Sequence, residues 1–233
     1  MTVCIKQLLT IIFMFNLTIQ AAAQDKGTLD PKPLPPLAHP SDPSTPAREL
    51  FGRARESAAL DPDPIGFYSH GCLAGGEQLP INGPNWQVMR LSRNRNWGHP
   101  QLIEFLKKFA PKAAQASGWP GLLIGDISQP RGGPMLTGHA SHQIGLDADI
   151  WLRPMPDHEL TREDREEMPS TDVVRDDLLD VRPDVWTKGH MAVIRSAAME
   201  PKVQRIFVNA AIKRALCREA AGESWMRKVR PMW

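Results

Sequence analysis

Two histidines and two aspartates fall within eleven residues of this chain. They are His139, His142, Asp147 and Asp149, in the run Thr137-Gly138-His139-Ala140-Ser141-His142-Gln143-Ile144-Gly145-Leu146-Asp147-Ala148-Asp149-Ile150. Histidine and carboxylate side chains bind zinc at about 2 Å, so two ligands of one ion must bring their donor atoms within about 3–4 Å of each other. His142 and Asp149 lie seven residues apart. On one helix they would share a face but stand about 10 Å apart along the axis. Fully extended, they would be more than about 20 Å apart. Only a chain reversal brings them together, and Gly145 is placed to permit one. The segment is therefore expected to fold back in a hairpin-like turn that presents His142 and Asp149 from adjacent stretches. Histidines beside aspartates also occur as ordinary hydrogen-bonded pairs, so the pattern alone leaves metal binding open. His139 is open between a neighbour of the ligands, a substrate contact and a loop anchor. Asp126 either orients a ligand histidine from behind or caps the loop that follows it.

The elements that must position these residues are expected to alternate irregularly. Trp86 to Leu91 reads as a strand. His99 to Ser117 places Leu102, Ile103, Leu106 and Phe109 at helical spacing, an amphipathic helix with an apolar core face. Gly121 to Ser128 is short and apolar enough for a buried strand, and Asp147 to Leu152 reads as another. Asp157 to Pro183 is a dense mixture of charges, expected to be a solvated insertion with a helical turn. Lys188 to Glu200 and Ala210 to Ala221 read as helices, with Arg205 to Val208 a strand between them. His190 is expected at the surface near its helix start. The sum is an α+β domain with a mostly antiparallel central sheet flanked by helices and long loops.

Residues 1–23 have the layout of a secretory signal peptide: Lys6, an apolar run from Leu8 to Ile19, then Ala21-Ala22-Ala23 before Gln24. The run is shorter than the roughly 20 residues a membrane span needs. The chain is thus expected to be exported, with no membrane association after cleavage. Residues 24–47 are proline-rich, a linker or an arm over the domain, with His39 solvated. Residues 48–233 form the domain. With 28 basic and 26 acidic residues, net charge +2, no electrostatic footprint for nucleic acid is present. Cys4 leaves with the signal peptide. Cys72 and Cys217 remain, and a structural role is expected of both rather than thiol catalysis.

The stretch GHASHQIGLDADIWL resembles the first metal-binding motif of the penicillin-insensitive murein endopeptidases, within the wider LAS metallopeptidase group. Further similar stretches are YSHGCLAGGEQLP, WQVMRLSRNRNWGHPQLIEFL, LLIGDISQPRGGPM, IFVNAAIKRALCREA and WMRKVRP, which together extend from about residue 65 to the end. The resemblance implies that His142 and Asp149 are zinc ligands, that His139 lies close to the metal, and that Cys72 and Cys217 match cysteines forming disulfides. It implies periplasmic cleavage of peptidoglycan cross-links, between D-alanine and the diamino acid of a neighbouring stem. The family's third ligand and its general-base histidine lie in a His-x-His motif after WMRKVRP, which the resemblance puts beyond Trp233. No His-x-His occurs in the sequence as given. The expectation is a chain lacking the C-terminal end of the domain, with weak zinc binding and little hydrolysis. Two alternatives remain: a D,D- or L,D-carboxypeptidase of the same group, and a non-catalytic peptidoglycan-binding remnant. Oligomeric state is not legible.

Overall fold

The computed structural model describes residues 26–138, 140–170 and 173–232. The expected signal peptide, with Cys4, lies outside these residues. After a short helix α1 (Ala47–Phe51), the hairpin of β1 (Asp63–Phe67) and β2 (His70–Ala74) leads into β3 (Glu77–Gln78), β4 (Asn82–Gly83) and β5 (Trp86–Val88). β6 (Trp97–Gly98), helix α2 (Pro100–Ser117), β7 (Leu122–Ile124) and β8 (Ile150–Pro154) follow. The chain continues through α3 (Arg162–Glu167), α4 (Lys188–Met199), β9 (Ile206–Asn209), α5 (Ala210–Glu219) and β10 (Val229–Met232).

The architecture is α+β. Its centre is a four-stranded sheet in the order β4-β5-β7-β8, antiparallel except for the parallel β5–β7 pair. Three two-stranded pairs surround it, of which β9–β10 is parallel. β7 is three apolar residues, each fully buried, as a strand covered on both faces must be. Burial continues without interruption over residues 121–130, although regular strand geometry ends at Ile124. The expected strands at 86–91 and 147–152 are likewise shifted: Arg90 takes a left-handed backbone that ends β5, and β8 begins only at Ile150.

Helix α2 forms where the periodicity placed it. The His99 side chain accepts the Gln101 N–H, Pro100 opens the first turn, and Gly118, at φ 74°, closes the last. Ile103, Leu106 and Phe109 are buried against Trp86, Val88, Leu122 and Ile124, and α2 also packs along α4. A second core joins Ile194, Val208, Ile212, Leu216, Trp225 and Val229. No helix among the described residues is long and apolar enough to cross a membrane.

Two expectations are corrected. The charged insertion is not simply solvated: Leu160, Arg165, Glu166, Val173 and Val181 are buried. Arg165 finds neutral acceptors on β4 and β5, while Glu166 accepts from the backbone N–H and hydroxyl of Ser92. His190 is buried rather than at the surface, because its ring accepts the Thr187 N–H that opens α4 and packs against Trp119 and Trp186. Cys72, on β2, and Cys217, on the exposed side of α5, lie on separate elements, and no disulfide joins them among the described residues. The proline-rich arm is tied down at its start, where the Gly27 N–H donates to the Glu166 carbonyl and Lys26 pairs with Glu167.

Candidate metal centre

The end of β7 and the head of β8 set Asp149 in place. The Gly125 N–H donates to the Asp149 carbonyl and the Asp149 N–H to the Asp126 carbonyl, both at 2.9 Å. Upstream, Gly145 turns the chain at φ 64°, and its carbonyl accepts the His99 N–H at 2.8 Å. A Cβ at Gly145 would crowd Leu73 and the His99 backbone, so glycine is needed there twice over, for its φ and for space. His142 itself adopts φ 68°. A left-handed backbone costs a non-glycine residue about 1–3 kcal/mol and marks a position that its surroundings over-determine.

The reversal brings His142 against both aspartates of the motif. His142 Nε2 lies 3.4 Å from Asp149 Oδ1, and Nδ1 lies 2.9 Å from Asp147 Oδ2. The imidazole is 3 % exposed, whereas the Asp147 and Asp149 side chains are 36 % and 42 % exposed. Burial alone would depress the basicity of His142, but the two carboxylates outweigh it and push its pKa up to about 10.

This donor set fits a zinc ion. Two ligands bound at about 2.0–2.2 Å in tetrahedral geometry stand about 3.4 Å apart, which is the Nε2–Oδ1 separation. Asp147 occupies the other ring nitrogen, where metal-binding histidines usually meet a carboxylate or carbonyl that fixes the ring. Among the described residues no group of three or more histidine, cysteine, aspartate and glutamate side chains converges on one point. His139, which the sequence singled out, lies outside the described residues.

The carboxylate of Asp126 is engaged by two guanidiniums, Arg95 at 2.7 Å and Arg93 at 3.3 Å. Arg95 also donates to the Thr137 carbonyl, so this buried cluster braces the start of the motif. Asp126 is linked to the centre through its backbone carbonyl, which accepts the Asp149 N–H. Sequence reasoning missed two contributors. Asp147 had a signal: it stands two residues before Asp149, and in extended chain the two share a face. Gln143 had none. Its side chain accepts the Gly71 N–H and donates to the carbonyls of Ser69 and Ala140, while its backbone N–H donates to the Tyr68 carbonyl. It thereby rivets the β1–β2 hairpin to the loop that carries His142.

The profile of the penicillin-insensitive murein endopeptidase family matches residues 64–233. A penicillin-insensitive murein endopeptidase of Haemophilus influenzae is 46% identical over 171 residues, 72% of this chain and 58% of that protein. Its namesake from Pectobacterium atrosepticum is 40% identical over 171 residues, covering 73% and 60%. That of Klebsiella pneumoniae subsp. pneumoniae is 41% identical over 168 residues, covering 72% and 61%. The matched segment thus amounts to about three fifths of the length of these relatives. With a profile match over most of its length, this chain belongs to the penicillin-insensitive murein endopeptidase family.

Proposed function

We propose that this chain is a zinc-dependent endopeptidase that cleaves the D-alanyl–diamino acid cross-links of peptidoglycan in the periplasm. The observation that carries the reading is the approach of His142 Nε2 to Asp149 Oδ1, at 3.4 Å, in a chain of this family. His142 and Asp149 would hold the metal. When bound, zinc supplies a water of lowered pKa and polarises the scissile carbonyl. Asp147 orients the imidazole and keeps its Nε2 directed at Asp149. The strained backbone of His142 and the turn at Gly145 hold both donors in place before any ligand arrives. Export rests on the signal-peptide layout of residues 1–23, and an N-terminus at Gln24 in the mature protein is expected from Edman sequencing.

The experiment is metal analysis of the purified chain, paired with digestion of cross-linked muropeptide dimers. Bound zinc together with conversion of dimers to monomers would support the reading. Release of a free terminal amino acid instead would assign a carboxypeptidase. A second reading, peptidoglycan binding without hydrolysis, draws on the two-ligand count, since a catalytic zinc takes three protein ligands. Retention on murein with its cross-linking unchanged, and no bound zinc, would favour it.

A further inference from the structure

On the surface beside the metal centre, one cation is stacked over two aromatic rings. Arg205, at the entry to β9, holds its guanidinium carbon 5.3 Å from the centre of the Tyr68 ring and 5.8 Å from that of Phe207. Phe67 packs on Tyr68 at 4.5 Å between ring centres. Phe67 and Phe207 are 52 % and 48 % exposed, and Arg205 is exposed too. Tyr68 is the chain's one tyrosine. The two rings near Arg205 come from distant parts of the chain, Tyr68 from the tip of the β1–β2 hairpin and Phe207 from β9. Gln143 fixes that tip to the metal-binding loop: its backbone N–H donates to the Tyr68 carbonyl at 3.1 Å, one residue from His142.

Arg205 is exposed, and its Nη2 makes a long contact with Gln204 Oε1 at 3.5 Å. A guanidinium seated over rings at the surface suits a planar anion, since its fork of donors matches a carboxylate bidentately. Each cation–π contact contributes about 0.5–1 kcal/mol at an exposed site, enough to restrict an arginine that would otherwise sample many rotamers.

We infer that Arg205, seated on Tyr68 and Phe207, is a specificity-determining residue that receives a free carboxylate of the peptide substrate while the scissile bond lies at His142 and Asp149. The inference rests on the peptidoglycan reading above. A cross-linked stem peptide is a short branched peptide, and each branch that is not amide-linked ends in a carboxylate within a residue or two of the cross-link. The exposed rings suit the small apolar side chains between those ends, and the charge of Arg205 is complementary to the acidic terminus.

The test is calorimetric titration of the full chain, with and without zinc, using a sugar-free synthetic stem-peptide dimer. The dimer is prepared as the free acid and with its carboxylates converted to carboxamides. The wild-type chain is expected to bind the free acid at least about ten-fold more tightly than the amide. Arg205→Gln should bring that ratio close to one by weakening the free acid alone, and Arg205→Lys should keep part of it, as a point charge without the planar fork. Arg205 is exposed, so these variants leave the core untouched. Equal binding of both dimers by the wild type, or an unchanged ratio in Arg205→Gln, would overturn the inference and leave the peptidoglycan reading standing. Binding of neither dimer under either condition would overturn that reading, and this inference with it.

Discussion

Two buried basic side chains in this molecule, Arg165 and His142, are surrounded in opposite ways. Arg165 is 2 % exposed. Its five donated hydrogen bonds go to the carbonyls of Leu160, Ile81 and Val88 and to the amide oxygens of Asn82 and Gln87. Every acceptor is neutral, and the one nearby carboxylate, Glu159, stands 4.0 Å off at the surface. His142 is as deeply buried, yet two carboxylates that reach solvent face its ring. A charge that serves only the fold is satisfied by dipoles from all sides. Two carboxylates around one imidazole carry more negative charge than the ring balances, which suits a metal cation taking the place of the ring's proton. The contrast ties the first cluster to the fold and supports the metal-site proposal for the second.

The largest expected effect tests that assignment directly. His142→Ala or Asp149→Ala should abolish zinc retention, read by metal analysis after dialysis, while the far-ultraviolet circular dichroism stays that of the wild type. Retained zinc in either variant would mean the wrong donors were chosen.

Next in size is Arg165→Met, which strands five acceptors behind a buried apolar chain. It should lower unfolding free energy by about 3–5 kcal/mol, seen as an earlier urea midpoint, and leave zinc affinity of the folded protein unchanged. A variant equally stable but unable to bind zinc would reverse the comparison. A smaller effect is expected of Asp147→Asn, which keeps the shape of the side chain but removes the charge beside Nδ1. Zinc affinity should fall about 10–100-fold, the usual cost of losing a partner of a ligand histidine. Unaltered affinity would show that Asp147 does not orient the ring.

The same two regions show what a sequence discloses. The fold-back that brings His142 to Asp149 was legible because its cause is local: a seven-residue spacing and a glycine where the turn must be. Helix α2 was legible for a similar reason, since His99, Pro100 and Gly118 mark its ends and the apolar spacing marks its face. Arg165 was hidden because four of its five acceptors lie more than seventy residues away, on or beside β4 and β5, and nothing in a run of charges tells which one turns inward. The rivet at Gln143 was hidden likewise, its partners lying on the β1–β2 hairpin. The parallel β5–β7 pairing depends on the α2 crossover packing its apolar face on the sheet, a tertiary event that strand patterns alone do not specify.

The smallest predicted effect concerns a third buried group, His190, which binds no anion. Burial lowers its pKa below the ordinary 6.5, partly offset by a hydrogen bond with the Leu152 backbone. Its Nδ1 accepts the Thr187 N–H at 3.1 Å, which requires that nitrogen unprotonated and caps α4. Between the lowered folded value and 6.5, the unfolded chain binds the proton more readily than the folded one. The stability His190 contributes is therefore fully present above about pH 6.5 and is lost as pH falls toward the folded pKa. His190→Gln keeps an acceptor at the third helical position and removes the titration. Urea unfolding at pH 7 and pH 5 should show the wild type losing more stability than this variant. The difference between the two proteins carries the result, because every other group is common to both. Equal losses would show that His190 is protonated in the fold without cost, and that its ring is not held as the acceptor the structure describes.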